Sequence, residues 1–413
     1  MNSLKLATAL SLALGAVAIV ATPANAQRAR NQQQQQPSGP SLSREEGALI
    51  APLDAAIRAQ TWAEANTALQ AAQAGVQSAY GRYVVATRML QIGQGTENQQ
   101  LQAQAVDAMI ASGAAPAETM PNLIVARARF AIQARDWPTA ERFLTQALAA
   151  TPNDADRLWQ LAEVQIQLNK NAEALATYQR LLQATEAAGQ VPTEERIKRA
   201  LEIANALRQN EASLALTQRL VRAYPTRANW TEALSRFRSL AGSEAQLALD
   251  VRRFMRTAQA FARSNDYLEF AGHLTRAGQP GETKTVLEEG ISRGTVTAAE
   301  AREMLASANA RISEDRASLP AQRTRAMAAA SGREARIAGD TFYGYGQYAD
   351  AVTLYRAALQ KGGEDANLVN TRLGAALYAA GQRAEAEAAF RAVTGNRAAL
   401  AALWLLWLER PAT

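Results

Sequence analysis

The sequence predicts an all-α protein, built as a solenoid of antiparallel helical hairpins. Its 413 residues contain small residues at a recurring interval, and four of them in the second half are 34, 34 and 35 residues apart. These four are Thr283, Ala317, Ala351 and Ala386. Earlier in the chain, Ala140 and Ala174 are again 34 residues apart. A period of about 34 residues is typical of two-helix units that bury their apolar faces only by stacking on one another.

A second regularity predicts the same fold. Ala140 is followed four residues later by a large residue, Leu144, and Ala174 has a large residue, Tyr178, at the same offset. The other large residues at this offset are Leu287, Tyr355 and Phe390. Residues four apart lie on one face of a helix, so the small residue lets two helices approach closely and the large one fills the space beside the contact.

The first 26 residues have the pattern of a secretory signal peptide. Lys5 supplies a positive charge, residues 6–20 are uncharged and mostly apolar, and Ala24-Asn25-Ala26 is a small-residue cleavage site. The apolar run is shorter than the roughly 20 residues that span a bilayer. We therefore expect cleavage after Ala26, no transmembrane anchor in the mature chain, and a periplasmic location in a Gram-negative bacterium.

Three further regions follow the signal peptide. Residues 27–43 are rich in Gln, Pro and Ser and predict a disordered leader. Residues 44–396 can hold about ten hairpins, and residues 397–413 predict a C-terminal capping helix. The exposed end of a repeat stack requires such a cap, so the last segment is expected to close the solenoid.

Turn residues support this division into hairpins. Pro152 ends one hairpin, because proline cannot continue a helix. Gly346 and Gly381 lie where one helix must reverse into the next, a position that favours a left-handed backbone. Ala212 and Ala245, at less regular spacing, are interpreted as markers of two further second helices.

This pattern resembles the tetratricopeptide repeat family. The resemblance is specific in the units marked by Ala140, Ala174, Thr283, Ala351 and Ala386. It is degenerate at residues 75–113 and 194–263, where loop lengths vary. The resemblance implies a right-handed superhelix whose concave surface is lined by the first helix of each hairpin. It also implies a binding scaffold.

The sequence offers few residues for catalysis. It contains no Cys, and its only histidine is His273, which excludes disulfides, thiolate chemistry and zinc sites with two His ligands. His273 is expected to be an ordinary packing or surface residue on the first helix of the hairpin closed by Gly278. No P-loop and no dinucleotide-binding fingerprint occurs. We therefore expect no enzymatic activity, no metal and no cofactor.

The charge balance favours anionic partners without naming one. The formal net charge is +6, and 39 of the 44 basic residues are Arg. A nucleic acid is not expected, because the chain carries an export signal and because acidic and basic residues are interspersed, as at Asp350 and Arg356.

The segment after Gly395 contains Trp404 and Trp407, three residues apart on one helix face. Two roles are open for them: packing as part of the cap, or insertion into a membrane interface. The need for a cap favours the first.

The family's geometry places several side chains on the concave face. The candidate groove residues are Arg302, Arg333, Arg336, Asp340, Tyr343, Arg372 and Tyr378, with a second stripe at Trp159 and Glu163. Arg forks beside Tyr rings suit an acidic protein segment or a free C-terminal carboxylate. The family's carboxylate clamp uses Lys and Asn where this chain has Arg336 and Asp340, so that clamp is not predicted. The alternative, solvated arginines paired along their own helices, stays open.

The function expected from these patterns is a non-catalytic periplasmic scaffold that binds a protein or peptide in its concave groove. One alternative is a helper subunit of an envelope polysaccharide or outer-membrane assembly system. A peptidoglycan lytic enzyme is a more distant alternative, because carboxylate catalysis needs only one or two acidic residues. However, the repeats leave no stretch for a lysozyme-like domain.

Overall fold

The computed structural model describes residues 40–240 and 244–410. The predicted signal peptide and residues 27–39 of the predicted leader lie outside these described residues. Within them the protein has twenty α-helices, one short 3-10 helix and no strand. The predicted all-α fold of stacked hairpins is therefore confirmed. The chain divides into two compact units, unit 1 ending at Ala115 and unit 2 beginning at Pro116.

Unit 1 is built from two helical hairpins. Its helices are α1 (Arg44–Ala59), α2 (Trp62–Gly75), α3 (Ala79–Gly95) and α4 (Gln99–Ala111). Glu46, in the first turn of α1, accepts hydrogen bonds from the backbone N–H groups of Ser78 at 2.8 Å and Gln77 at 3.3 Å. These bonds, that of Ser78 above all, lower the pKa of Glu46 to about 2. The carboxylate thereby fastens the start of α1 to the connection between the two hairpins.

Unit 2 begins with three regular hairpins. They are α5 (Met120–Gln133) with α6 (Trp137–Ala150), α7 (Ala155–Gln167) with α8 (Asn171–Ala187), and α9 (Glu194–Ala206) with α10 (Asn210–Ala223). The helices that follow are α11 (Arg227–Leu240), α12 (Ala245–Thr257), α13 (Ser264–Arg276), α14 (Pro280–Ser292), α15 (Ala298–Ala328), α16 (Gly332–Gly344), α17 (Tyr348–Lys361), α18 (Ala366–Ala379), α19 (Arg383–Arg391) and α20 (Ala398–Glu409). A 3-10 turn, Gly395–Arg397, precedes α20.

Most of the small marker residues lie at helix contacts as predicted. The fully buried ones are Ala140, Ala174, Thr283, Ala351 and Ala386. In the hairpin α16–α17 a Cβ added to Gly339 would approach the Tyr355 ring to 2.8 Å, so the two helices are in close contact there. Gly346 and Gly381 have φ angles of 75° and 78°, which confirms the predicted left-handed turns.

Three markers were wrong. Ala317 is exposed in the middle of α15, a single helix of 31 residues. Two complete repeats would place three helices between the helices that carry Thr283 and Ala351, but the structure has only two there, α15 and α16. The reason is local: residues 298–328 are mostly good helix formers, and no Gly or Asn pair ends the helix early. Ala245 is exposed in the first turn of α12, and at the α10 position the fully buried small residue is Ser213 and not Ala212.

The C-terminal part of unit 2 folds back onto earlier helices. Helix α18 contacts α12, and α20 contacts both α19 and α10. The Trp404 ring stacks between Phe254 of α12, with centroids 3.9 Å apart, and Phe390 of α19, at 5.0 Å. Trp404 is 1% exposed, so its side chain is not available to a membrane surface. In the described parts of the chain, none of the helices combines the length and the apolar character that crossing a membrane requires.

Candidate functional site

Buried charges hold the contact between α12 and the C-terminal helices. We call six of these residues the closure network: Glu282, Arg253, Asp340, Arg372, Asp250 and Arg397. Each is at most 6% exposed, and cations alternate with anions along the series. Alternation matters because a charge removed from water is tolerated only beside an opposite charge.

The centre of the closure network joins residues that are far apart in sequence. Asp250 of α12 accepts hydrogen bonds from Arg372 Nε at 3.0 Å and from Arg397 Nη1 at 2.5 Å. These partners are 122 and 147 residues further along the chain. Burial alone would lower the pKa of Arg372, but the carboxylates of Asp250 and Asp340 raise it above its ordinary value. Arg372 therefore stays charged and ties α18 to α12.

Asp340 of α16 is the second acidic centre of the closure network. Its Oδ2 accepts from Arg372 Nη1 at 2.6 Å and from Arg336 Nη1 at 3.0 Å, and its Oδ1 accepts from the Tyr355 hydroxyl at 2.7 Å. Arg253 Nη1 lies 3.6 Å from the same Oδ1 and forms a bidentate pair with Glu282. Every charge here has a partner within the protein.

Beside the closure network lies an open cavity of about 460 Å³, which we call the arginine cavity. Its walls come from α11, the end of α12, α18, α19 and α20. The side chains that give it its character are Arg227, Arg383, Arg410, Trp230, Trp407 and Tyr378. Among the described residues that line it, none is Asp or Glu.

Neutral groups position the three guanidinium groups of the arginine cavity. Arg227 Nε donates to the backbone carbonyl of Gln259 at 2.8 Å, and Arg383 donates to the carbonyl of Arg410. The Arg410 guanidinium lies 3.9 Å from the centre of the Trp407 ring, a cation–π contact. Among the described residues, no carboxylate lies within 4 Å of any of the three.

A second cavity, of about 260 Å³, adjoins the first and shares Tyr378 with it. We call it the paired cavity, because its arginines face carboxylates across short distances. Arg256 Nε lies 2.7 Å from Glu289, and Arg293 Nε lies 3.3 Å from the same carboxylate. Burial raises the pKa of Tyr343, which also lines this cavity, so its hydroxyl stays protonated at neutral pH.

The structure brings together five of the nine residues predicted for the groove. Arg336, Asp340 and Arg372 are bonded to one another or to a common partner, and Arg336 also pairs with Glu364 at 2.8 Å. Tyr343 and Tyr378 line the paired cavity. The arginines of this group contact carboxylates of the protein, and several of these partners lie on other helices.

The other four predicted residues lie apart from this cluster. Arg302 on α15 and Arg333 on α16 are exposed. Trp159 lies on α7, with the guanidinium carbon of Arg196 6.0 Å from its ring centre. Glu163, also on α7, accepts a hydrogen bond from the Tyr178 hydroxyl. Their role in binding stays a prediction.

The sequence pattern does not predict the arginine cavity. A repeat pattern describes contacts between neighbouring units, whereas this cavity depends on contacts between segments more than 120 residues apart. One signal was present: α20 is apolar on almost every side, and such a helix is covered on more than one face. A cap that covers only the end of a stack needs a single apolar face.

The titratable side chains of residues 40–240 and 244–410 form no cluster of metal ligands. Burial and the nearby Arg252 lower the pKa of His273, the chain's one histidine, and it lies partly buried on α13. What the site can do is bind: it offers guanidinium and hydroxyl donors in a concave setting.

Comparison with known families gives a match between residues 131–190 and the tetratricopeptide repeat model. This segment runs from the end of α5 to the end of the α7–α8 hairpin and includes the markers Ala140 and Ala174. Comparison with curated proteins gives no significant match.

Several solved structures have a similar arrangement of helices. PilW, a type IV pilus biogenesis factor, is 16% identical, with a TM-score of 0.27, over 44% of this chain and 78% of PilW. A tetratricopeptide repeat protein from Parabacteroides merdae is 12% identical, with a TM-score of 0.29, over 64% of this chain and 99% of the other. The TPR2AB domain of yeast Sti1, in complex with pHSP90, is 13% identical, with a TM-score of 0.25, over 70% and 97%.

These identities and TM-scores are too low to transfer a ligand or a partner. The family assignment depends instead on the chain's own hairpins and on the matched segment. The family model covers two marker residues that the 34-residue period had already singled out, and the hairpins continue on both sides of it. Residues 131–190 are thereby identified as tetratricopeptide repeats, in agreement with the resemblance that the 34-residue period predicted.

Proposed function

We propose that this protein is a non-catalytic, exported scaffold that binds a partner protein at the arginine cavity of unit 2. The observation that carries the proposal is a set of three arginines that line an open cavity and are positioned by neutral groups, without a carboxylate partner among the described residues. A fold-stabilising role does not require such an arrangement, because arginines that stabilise this fold have carboxylate partners nearby. A protein surface that presents carboxylates would complete it.

Tetratricopeptide repeats commonly serve as interaction surfaces, and this supports a scaffold over an enzyme. Export is supported by the N-terminal pattern of a charged start, an apolar run and the Ala24-Asn25-Ala26 site. The intact mass of protein from a periplasmic extract tests this part. A chain that begins at Gln27 is expected, and a chain that retains residues 1–26 in the cytoplasmic fraction would contradict export.

The scaffold role is tested by crosslinking in cells that produce the protein, followed by its purification and identification of what it carries. The variant Arg227→Glu with Arg383→Glu reverses two charges of the arginine cavity. Arg44→Glu with Arg325→Glu is the matched control, because both residues are exposed and none of the described carboxylates pairs with them. A partner recovered with the wild type and the control, but not with the cavity variant, is the expected result.

Two results would contradict the proposal. The same partner recovered in equal amounts with the cavity variant would place the binding surface elsewhere. Purified protein that clears peptidoglycan by itself would show that the chain is an enzyme.

A further inference from the structure

We propose that the arginine cavity is a specific site for an acidic protein segment that presents two or more carboxylates side by side. This rests on the proposed function and names the chemistry of the partner.

The charge of the arginine cavity stands out against its neighbour. Of the described residues that line it, three are arginines and none is acidic, whereas the adjoining paired cavity sets Arg253, Arg256 and Arg293 against Glu282 and Glu289. The two cavities share the end of α12 and Tyr378, so their difference in charge comes from the residues that line them and not from their location. An unbalanced set of cations in a concavity raises the local concentration of anions.

The arginines keep most of their donors. A guanidinium has five N–H groups. Arg227 uses its Nε on a backbone carbonyl, which leaves both terminal nitrogens for a carboxylate fork. Arg410 is stacked on Trp407, and because stacking covers the face of a guanidinium, its edge, where the N–H groups lie, is left for a ligand. Stacking also holds the side chain in place, so less rotamer entropy is lost on binding.

Two further polar groups of the lining have donors without an acceptor. The Tyr378 hydroxyl accepts a hydrogen bond from Trp407 Nε1 at 3.0 Å, and no described residue accepts its own proton. The indole nitrogen of Trp230 is buried and has no acceptor among the described residues. Buried polar groups are usually satisfied, and Trp230 is one of the residues that line the cavity, so this N–H is a donor for which the described residues supply no acceptor.

The dimensions favour a peptide over a small anion. A volume of about 460 Å³ is in the range of pockets that enclose molecules of many atoms. The three guanidinium groups come from three different segments, at Arg227, Arg383 and Arg410, so the cavity offers more than one cation to a ligand with several carboxylates. Trp230, Trp407 and Pro225 supply apolar wall for the methylene groups of Glu side chains.

The test uses the purified protein as cells produce it and an acetylated, amidated peptide of six Glu residues. Binding is followed by calorimetry and by the fluorescence of the cavity's tryptophans. A peptide of six Gln with the same blocked ends is the neutral control, and inorganic phosphate is the small-anion control. We expect the Glu peptide to bind, its affinity to fall as salt rises, and the Gln peptide not to bind.

The site is tested by Arg227→Gln with Arg383→Gln against Arg44→Gln with Arg325→Gln. The cavity variant should weaken binding of the Glu peptide at least tenfold and flatten its salt dependence, while the control binds as the wild type does. Thermal unfolding of both variants shows whether the fold is kept. Arg410→Gln, which also removes the cation–π contact, is a further variant that should weaken binding.

Three outcomes would overturn the proposal: no binding of the Glu peptide by the wild type, equal binding by the cavity variant, or displacement of the peptide by phosphate at equal concentration. The last would make this a site for phosphate groups. Loss of a cellular partner in the cavity variant, without binding of the Glu peptide, would retain the scaffold function and reject the acidic segment. Binding of the peptide without any cellular partner would reject the scaffold function and retain the site.

Discussion

Two sets of arginines lie in the same part of unit 2 and have opposite surroundings. Arg253, Arg372 and Arg397 of the closure network are at most 4% exposed, and each contacts a carboxylate. The set in the arginine cavity, Arg227, Arg383 and Arg410, borders open space and is held by carbonyl groups and an indole ring. The two sets are alike in composition, yet only one of them is needed to neutralise buried charge.

The number of arginines on inner helices therefore does not identify a binding groove. An arginine removed from water requires a paired carboxylate, and the pair then belongs to the fold. An arginine positioned by neutral groups keeps its charge for a ligand. If this division is right, removing a carboxylate that neutralises buried arginines should cost the most stability, and removing an arginine of the cavity the least.

Asp250→Ala should have the largest effect. Asp250 is the common partner of Arg372 and Arg397, and its removal leaves two buried cations without that carboxylate. We expect the free energy of unfolding to fall by about 3 to 5 kcal/mol. Denaturant titration of wild type and variant measures this. The control is Asp156→Ala, since the Asp156 side chain is 84% exposed and a surface pair contributes about 1 kcal/mol or less. Equal losses for both variants would mean that the closure network does not hold unit 2.

Glu282→Met should come next, at about 3 kcal/mol, because Arg253 then keeps only Asp340, at 3.6 Å. The double variant Arg253→Met with Glu282→Met removes both charges and should be more stable than Glu282→Met alone. The same denaturant titration compares them. A double variant that is less stable than Glu282→Met alone would show that the unpaired Arg253 charge is not what destabilises the single variant.

The repeats could be predicted from the sequence because each one obeys local rules. Ala140, Ala174 and Ala351 are buried as their spacing required, and Gly346 has the positive φ of a helix reversal. Local sequence also has limits. The 34-residue interval predicted a helix contact at Ala317, whereas residues 298–328 form one uninterrupted helix in which Ala317 is exposed. A period indicates where a second helix would fit, but only a turn-forming residue ends the first one.

The candidate site could be predicted only in part, because it depends on contacts between distant segments. Tyr343 and Tyr378, predicted for the groove, line the paired cavity, and their role in binding stays a prediction. Arg336 and Arg372 were expected to face a ligand, and in the structure they contact Asp340. The spacing along a helix predicts only which of its side chains share a face. It could not show that α12 would lie against them, since periodicity carries no information about which non-adjacent helices meet.

Asp266 forms an ion pair that is intermediate in burial between the closure network and the open arginine cavity. It contacts Arg238 at 3.0 Å, and the Arg238 side chain is about one-quarter exposed. Burial would raise the pKa of Asp266, but the backbone N–H groups of Ala262 and Arg263 and the Arg238 guanidinium lower it below its ordinary value. A lowered pKa means that the folded state favours the ionised form, so the stabilisation is complete well above pH 4 and is lost as the pH falls through the folded-state pKa.

Asp266→Asn should therefore cost about 1 kcal/mol at pH 7. The difference in melting temperature between wild type and variant should narrow as the pH is lowered from 5 toward 3. A difference that stays constant over this range would show that the ionised carboxylate is not what stabilises the start of α13.

Arg227→Gln with Arg383→Gln should have the smallest effect on stability. Neither guanidinium has a carboxylate partner among the described residues, and their bonds to the carbonyl groups of Gln259 and Arg410 are ones that water can replace at an open surface. We expect the free energy of unfolding to change by less than about 0.5 kcal/mol. Removing two of three like charges also relieves repulsion, so any destabilisation should shrink at low salt, where screening is weakest. Denaturant titrations at low and high salt measure both effects. A loss of 2 kcal/mol or more would place these arginines with Arg372 as part of the fold, and the distinction between the two sets would fail.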